Sequence, residues 1–479
     1  MGQSRFNADA QGELWIESGQ IARSPGHPFY ARLNQVLHAE GFDRQAEALC
    51  APHYKDGGRP ALPPGVYFRM LLAGYFEGLD SQRAIAWRCA DSLALREFLG
   101  ITLTERTPDH STLTRIRQRL PLEVHEQMFA LVLGIARRHK LLRGKTLLVD
   151  ATTLEANAAM RSIVRRDTGE NWTEYVTRLA SEDGLENLSA EELARYDQQR
   201  ADKKVSNEAW TSPSDPDARI AKMKDGRTHL AYKAEHAVDA ATGVIVAAGI
   251  EPASGAPDGE TLKARAVEAQ INLLRAGSAQ AVAEVVGDKG YHKLETLAWA
   301  ADYAIETYIP EKHQRGARDW SQHTRRERRA HANNAKRTQS PRGRRRLKKR
   351  GELIERSFAH VCETGGGRRA WLRGRENVGK QYLVRVAAFN LGLVMRKLFK
   401  LGKPRALQGR KPGTLGLLGA CATALLWAFF VILRAMRTLA AELAIHPRRA
   451  RQGAPRRRPH DNPETTHYPG KSGVISTGC

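Results

Sequence analysis

Apolar residues recur at helical spacing through the first part of the chain. The segments with this pattern are Val66–Phe76, Gln82–Cys89, Leu93–Phe98, the stretch that begins at Asp109, and Leu122–Arg138. Prolines precede the first of them, Gly78 ends it, and serines or aspartates stand where the next helices would begin, as is typical of helix termini. The pattern predicts an all-helical N-terminal domain over residues 1–142.

Arginines occur in the short helix predicted after Asp109, and two interpretations of them stay open. Short helices joined by tight turns, with Arg115 and Arg117 on exposed faces, favour a DNA-binding module of the helix-turn-helix kind. The same pattern is typical of a plain helical bundle with a solvated basic face. On the first interpretation, Arg115 and Arg117 contact DNA.

Short continuous apolar runs replace the helical pattern after residue 142. The segments, in order, are Lys145–Asp150 (strand), His229–Asp239 and Val244–Ile250 (a hairpin), Thr261–Ala276 (helix), Ala283–Asp288 (strand), and Gly351–His360 and Gln381–Phe399 (helices). This order predicts an α/β domain with a mixed sheet and flanking helices over residues 143–400.

Two polar segments interrupt that domain, and a tail follows it. Residues 155–228 are polar and charged, and we interpret them as an insertion. Residues 312–350 are basic, and Asp319 and Glu327 are their only acidic residues. They are therefore expected to stay solvated or to bind a polyanion and not to pack into a core. In the tail, residues 401–479, the end rich in Arg, Pro and Gly is predicted to be disordered.

The tail also contains an apolar segment, residues 414–433, with two possible interpretations. Its length matches a helix that spans a bilayer, but a buried or partner-facing helix would have the same composition. Basic residues flank the segment on both sides, so the distribution of positive charge does not indicate how such a helix would be oriented in a membrane. We do not expect a membrane protein, and the segment stays unassigned.

Charge and cysteine content narrow the class of protein. The 76 Lys and Arg outnumber the 52 Asp and Glu, for a formal net charge of +24, so the surface attracts polyanions such as nucleic acid. Five cysteines without a CxxC pair exclude a disulfide scaffold and a cysteine-based zinc site, and they fit the cytoplasm. The 16 histidines show no HxH or HExxH pattern, so none is assigned to a metal.

Three acidic residues are candidates for chemistry because of their positions. Asp150 and Asp288 each end a predicted buried strand, and Glu355 lies in a helix after the basic segment. Two strand-end aspartates with a glutamate from a helix would make an all-oxygen cluster, which suits Mg²⁺ or Mn²⁺. Two such ions could support in-line phosphoryl transfer. Glu235 and Asp239, on a predicted strand, could face this site, although solvent exposure is the favoured interpretation.

Sequence blocks around these acids resemble bacterial insertion-sequence transposases of the DDE class. The three acidic blocks are Leu148–Asn157, Val286–Tyr291 and Ile354–Ala359, and further blocks are Gly58–Pro63, Gly78–Arg83, Pro108–Thr112, Arg373–Asn377 and Ala388–Leu393. The resemblance covers residues 28–400. It implies an RNase H-like catalytic domain, assigns the catalytic and metal-ligand roles to Asp150, Asp288 and Glu355, and implies two Mg²⁺ or Mn²⁺ ions.

The chain departs from the family pattern next to the last acid. Members often carry a lysine where Cys362 stands, so contacts to DNA phosphate could pass to Arg350, Arg356 or Arg368. Lys289, directly after Asp288, could contact phosphate or serve as an ordinary loop lysine. Glu352, one helical turn before Glu355, could compete for its role.

The leading hypothesis is a DNA transposase that binds element ends and catalyses metal-dependent phosphodiester cleavage and strand transfer. Its first partner would be double-stranded DNA, both the terminal inverted repeats of the element and the target. Its second partner would be another copy of the chain, because two element ends are joined at once. The expected location is the cytoplasm, at the nucleoid. The alternatives are a catalytically inactive DNA-binding relative or regulator, a nuclease without strand transfer, and a membrane-attached protein.

Overall fold

The computed structural model describes residues 26–55, 57, 61–201, 206–223, 225–254, 258–312, 318–402 and 404. All of them fall within one compact unit, residues 1–408. The apolar segment 414–433 and the basic end of the chain lie outside the described residues. Within the described ranges, no helix is long and apolar enough to cross a bilayer.

The described N-terminal part is helical, as predicted. Its helices are α1 (Pro28–Ala39), α2 (Phe42–Cys50), α3 (Pro64–Glu77), α4 (Gln82–Asp91), α5 (Leu93–Leu99), α6 (His110–Arg119) and α7 (Leu122–Arg138). Side chains of Ser81, Ser92 and Asp109 accept hydrogen bonds from backbone N–H groups in the first turns of α4, α5 and α6. Gly78 ends α3 in a left-handed conformation, with φ of 68°.

A six-stranded mixed sheet forms the centre of the following part. The described strands of this part, six in the sheet and two in a separate pair, are β1 (Thr146–Glu155), β2 (Val164–Arg165), β3 (Trp210–Thr211), β4 (Arg219–Lys222), β5 (Thr228–Asp239), β6 (Ile245–Pro252), β7 (Glu284–Val286) and β8 (Glu306–Tyr308). The order is β4-β5-β1-β7-β8, with β6 beside β5 and with β2 and β3 in a separate pair. β5 is antiparallel to β1, β4 and β6, whereas β7 and β8 are parallel to β1. Together with the helices around it, this sheet confirms the predicted α/β fold class.

Helices cover both faces of the sheet. They are α10 (Asp258–Arg275), α11 (Leu294–Asp302), α12 (Arg325–Gln339), α13 (Pro341–Phe358) and α14 (Arg375–Phe399). Two further helices, α8 (Trp172–Glu182) and α9 (Ala190–Gln199), lie between β2 and β3 in the chain. Neighbouring residues of β5 show the two faces, since Glu235 pairs with Arg265 of α10 and His236 contacts α13 and α14.

The segment interpreted as an insertion has two kinds of structure. Helices α8 and α9 pack through a small apolar cluster of their own, formed by Val176, Ala180 and Leu193. Strand β4, near the end of the same segment, pairs with the beginning of β5 and so extends the main sheet.

The basic segment is more ordered than its charge pattern predicts. It forms most of α12 and α13, and Asn334 of α12 is buried, where its amide hydrogen-bonds both backbone groups of Ile309. Arg342 and Arg346 of α13 form ion pairs with Glu284 of β7, whose side chain is buried. The expectation that this segment does not pack is therefore wrong where it meets β7 and β8, because a buried carboxylate neutralises arginines there. Most lysines and arginines of the segment are exposed, as expected.

One hydrophobic core extends from the N-terminal helices to the sheet. Helix α14 makes the connection, since it contacts α3 and α7 as well as β6. Its buried Asn390 accepts from the backbone N–H of Ile245 at 3.0 Å and donates to the backbone carbonyl at 2.8 Å. Ile245 is at the start of β6, and without Asn390 its backbone N–H and carbonyl groups would be buried without hydrogen-bond partners.

Candidate active site

Two of the three predicted acids lie side by side where the parallel pairing of β1 with β7 ends. The prediction that Asp150 ends its strand is wrong, because β1 continues to Glu155 through its pairing with β5. Leu148 of β1 is paired with Val286 of β7 in parallel register, and Asp150 and Asp288 each follow two residues later. Asp288 keeps an extended backbone, with φ of −82° and ψ of 178°, and its carboxylate accepts a hydrogen bond at 2.8 Å from the N–H of Gly290. Adjacent strands are about 4.8 Å apart, so the two aspartates share one edge.

Burial and neighbouring charges together set the protonation of Asp150. Burial raises its pKa, the guanidinium of Arg350 lowers it, and the charge of Asp288 raises it. Arg350 Nη1 lies 2.6 Å from Asp150 Oδ2, and the N–H of Ala151 donates to Oδ1 at 2.8 Å. Arg350 belongs to α13, so this ion pair joins the helix to the middle of β1.

Glu355 lies on the same helix but in a different environment. Helix α13 contacts β1 and β7, and it buries Ile354 and Ser357 on either side of Glu355, whose own side chain is exposed. Among the described residues, the carboxylate oxygens of Asp150, Asp288 and Glu355 do not all lie within 4.8 Å of one another. The structure thus brings two acids together and places the third on the helix beside them, without forming one coordination sphere.

The donor types at this edge fit a hard cation. Carboxylate oxygens are the ligands that Mg²⁺ and Mn²⁺ prefer, and a partly buried aspartate beside a second one is costly without a cation. Arg350 supplies that positive charge in the structure. Coordination by all three acids would require the exposed Glu355 side chain to turn towards the two aspartates.

The basic residues predicted near this site fall into two groups. Lys289 is exposed directly after Asp288. Arg368 donates to the hydroxyl of Thr152 at 3.4 Å; this threonine follows Asp150 by two residues and points to the same side of β1. Arg356, in contrast, is exposed on α13 and pairs with Glu352 at 2.8 Å.

The two arginines of α6 have different surroundings. Arg115 is exposed and donates to the hydroxyl of Thr112 at 3.1 Å. Arg117 is only 8 % exposed, and its Nε donates to Asn377 of α14 at 3.3 Å. Burial lowers the pKa of Arg117. The prediction that Arg117 lies on an exposed face is wrong, because this side of α6 packs against α14.

The favoured interpretation of Glu235 and Asp239 as solvent-exposed is also wrong. Both are buried on β5. The Asp239 carboxylate accepts hydrogen bonds from the backbone N–H groups of Arg143, Gly144 and Ala241, so it organises the turn after β5. Glu235 is paired in register with the residue after Asp150 and therefore points to the opposite face of the sheet.

A buried histidine beside the acidic edge has no counterpart in the sequence-based predictions. His236 is the register partner of Asp150 and is completely buried. Its imidazole is hydrogen-bonded to Ser357 Oγ at 2.9 Å and to Tyr382 Oη at 2.7 Å, and burial lowers its pKa to about 3. It therefore joins β5 to α13 two residues beyond Glu355. A histidine within an apolar strand pattern carries no local signal of this role.

Family comparisons agree with this geometry. The family model described as "Transposase domain (DUF772)" matches residues 19–119, and the one described as "Transposase DDE domain" matches residues 143–391. No curated protein and no solved structure shows significant similarity to the chain. The second match covers more than half of the 479 residues and includes the acidic edge and α13. The chain therefore belongs to the family of DDE transposases.

Proposed function

We propose that this transposase binds the ends of a mobile DNA element and catalyses metal-dependent phosphodiester cleavage followed by strand transfer. The observation that carries the proposal is the common edge of Asp150 and Asp288, with the helix that bears Glu355 packed across β1. These acids come from segments far apart in sequence, and the sheet brings two of them together. Such an edge is a usual location for ligand and metal sites in α/β folds.

The proposed metal ligands are Asp150, Asp288 and Glu355. Mg²⁺ or Mn²⁺, as a pair of ions, supplies Lewis-acid stabilisation of the attacking and leaving oxygens when bound. The donor set consists of carboxylates, which favours these ions over zinc. The protein's contribution is to hold the acids at one edge and to keep an arginine in contact with Asp150.

Arg350 has a proposed second task in DNA binding. A DNA phosphate is an anion that competes with Asp150 for the guanidinium, and arginine binds phosphate in a bidentate manner. Arg350 would thus leave Asp150 when the substrate phosphodiester arrives. Lys289 and Arg368, beside the same edge, and the exposed Arg356 and Arg115 are the further proposed phosphate contacts. For Arg117, the proposed role is to position α6 against α14.

The proposed assembly is a homodimer on DNA, because strand transfer joins two element ends at one target. Since the proposed substrate is chromosomal DNA, the proposed place of action is the nucleoid in the cytoplasm.

The decisive experiment compares isosteric variants in a cleavage assay with DNA that carries the element ends. Asp150→Asn, Asp288→Asn and Glu355→Gln should lose Mg²⁺-dependent cleavage, while each still binds the DNA in the presence of EDTA. Glu352→Gln, one turn earlier on the same helix, is the matched control and should keep cleavage. An active Asp288→Asn protein would exclude the proposed site. Loss in Glu352→Gln but not in Glu355→Gln would move the third ligand to position 352.

A second assay separates the remaining activities. A DNA end that already carries a free 3′-hydroxyl should be joined to target DNA by the wild-type protein. Cleavage without joining would identify a nuclease. Binding without either reaction would identify an inactive regulator.

A further inference from the structure

Two histidines and a glutamate converge outside the acidic edge. His292 follows the turn that begins at Asp288, Glu311 lies three residues after β8, and His331 is on α12. Each offers one ligand atom, and the three atoms all lie within 4.8 Å of one another; this is the one such group among the described residues. His331 Nε2 is 3.1 Å from Glu311 Oε2, and the two imidazole rings are perpendicular, with centroids 5.6 Å apart.

The surroundings make this group partly enclosed. The side chain of His331 is 16 % exposed and packs edge-on against the ring of Trp320, whereas Glu311 is 37 % exposed. Arg318 forms an ion pair with the same glutamate. The group therefore has an apolar wall on one side and an opening to solvent on the other, where water could complete a coordination sphere.

The donor set differs in chemistry from the proposed magnesium site. Two imidazole nitrogens and one carboxylate oxygen suit zinc and the neighbouring late divalent metals. Mg²⁺ is a hard cation that prefers oxygen ligands, so this donor set does not suit it. Tetrahedral zinc, with bonds of about 2.0–2.1 Å, requires ligand atoms roughly 3.3 Å apart. The pair of His331 and Glu311 already has this separation, and the third atom needs to move by no more than about 1.5 Å, which a side-chain rotation provides.

We propose that His292, Glu311 and His331 form a second metal site, which binds one zinc ion or a metal of the same class. The ion would link three segments that are separated along the chain. His292 is four residues from Asp288, and His331 is on α12, which leads directly into the helix that carries Arg350 and Glu355. Binding would hold the basic helix pair α12–α13 against the loop of the second aspartate, and it would stabilise the folded chain.

The alternative account is a plain ion-pair cluster. In that account Glu311 is satisfied by Arg318 and His331, and the histidines have no further task. Zinc would compete with Arg318 for the carboxylate, so the two accounts predict different behaviour when metal is added. The proposal stands on these three side chains and does not depend on DNA cleavage.

The experiment is a titration of the full chain, stripped of metal by a chelator, with Zn²⁺ in competition with a chromogenic indicator. We expect one tight equivalent of Zn²⁺, no displacement by millimolar Mg²⁺, and a higher melting temperature in Zn²⁺ than in EDTA. His292→Ala and His331→Ala should each weaken binding at least tenfold. The matched control is His229→Ala, which removes a histidine that contacts a single carboxylate, that of Asp225 at 3.0 Å; it should bind as the wild type does.

Spectroscopy keeps the test valid if an alanine variant folds poorly. Co²⁺ in the wild-type site should give the visible absorption bands of a low-coordinate ion. His331→Cys should keep binding and add a thiolate-to-cobalt charge-transfer band. Absence of tight Zn²⁺ binding, or equal binding by the wild type and His331→Ala, would overturn the proposal. Asp288→Asn should bind Zn²⁺ normally, so failure of the zinc site and failure of the cleavage site give different results.

Discussion

The buried imidazole of His236 makes a quantitative prediction about acid stability. Ser357 Oγ donates its hydrogen to the carbonyl of Ile354, so it accepts from His236 Nδ1, and Nε2 accepts from the Tyr382 hydroxyl. The ring of Phe358 stacks on the imidazole, with centroids 4.1 Å apart and planes 13° apart. This environment holds a neutral ring, and among the described residues no carboxylate is hydrogen-bonded to it. Burial therefore lowers the pKa of His236 to about 3.

The size of the effect follows from proton linkage. The imidazole has a pKa of 6.5 in the unfolded chain and about 3 in the folded protein, so only the unfolded chain takes up a proton between these values. Stability from this group is fully present above pH 6.5 and is lost as the pH falls towards 3. At pH 5 the loss amounts to about 2 kcal/mol relative to pH 7.

The test is His236→Gln, measured by urea denaturation at pH 7 and at pH 5. The glutamine lowers the free energy of unfolding at pH 7, because it replaces the ring stacking and the hydrogen bonds of the imidazole only in part. Unlike the imidazole, its side chain does not take up a proton between pH 7 and pH 5. The variant should therefore lose about 2 kcal/mol less than the wild type between the two pH values. The exposed His110 is the control, and His110→Gln should show the same pH dependence as the wild type. If His236→Gln and the wild type lose equal stability, the buried neutral imidazole is not the source of acid sensitivity.

The remaining predictions concern packing and charge. Asn390→Ala removes both partners of a buried backbone pair and should lower the free energy of unfolding by about 1–3 kcal/mol, measured by denaturation; an unchanged value would mean that water replaces the amide. Glu284→Gln leaves Arg342 and Arg346 without a counter-charge on β7, so we expect a lower melting temperature and faster proteolysis in α13. The logarithm of DNA affinity, measured by fluorescence anisotropy, should fall linearly with the logarithm of salt concentration; a flat response would exclude the basic helices from the DNA interface.

Local signals in the sequence were sufficient for most helices and strands. The predicted bounds of Leu122–Arg138 agree with α7, and Ser81, Ser92, Asp109 and Gly78 act at helix ends as expected. Caps, periodicity and turn residues act over a few positions, so a single chain shows them without any knowledge of the fold. The α/β class and the family resemblance could be recognised for the same reason.

Contacts between distant residues were not visible in the chain. Arg350 meets Asp150 across 200 positions, and Arg117 is buried by a helix 260 positions away. Whether an arginine is solvated or paired depends on the surface that folding brings against it, and that surface comes from elsewhere in the sequence. The basic segment shows the same point, because Glu284 on β7 pairs with Arg342 and Arg346 in a stretch that was expected to be solvated throughout.

For the candidate sites too, the sequence indicated the residue types, and the tertiary structure decided which residues come together. The acidic residue types, two aspartates after predicted apolar strands and a glutamate in a predicted helix, were readable from the sequence alone, because strand and helix patterns are local. Their arrangement was not: the parallel pairing of β1 with β7 puts two aspartates together, while α13 leaves Glu355 facing solvent. The grouping of His292, Glu311 and His331 has no motif spacing at all, since three separate elements meet there through the packing of α12 against α11 and β8.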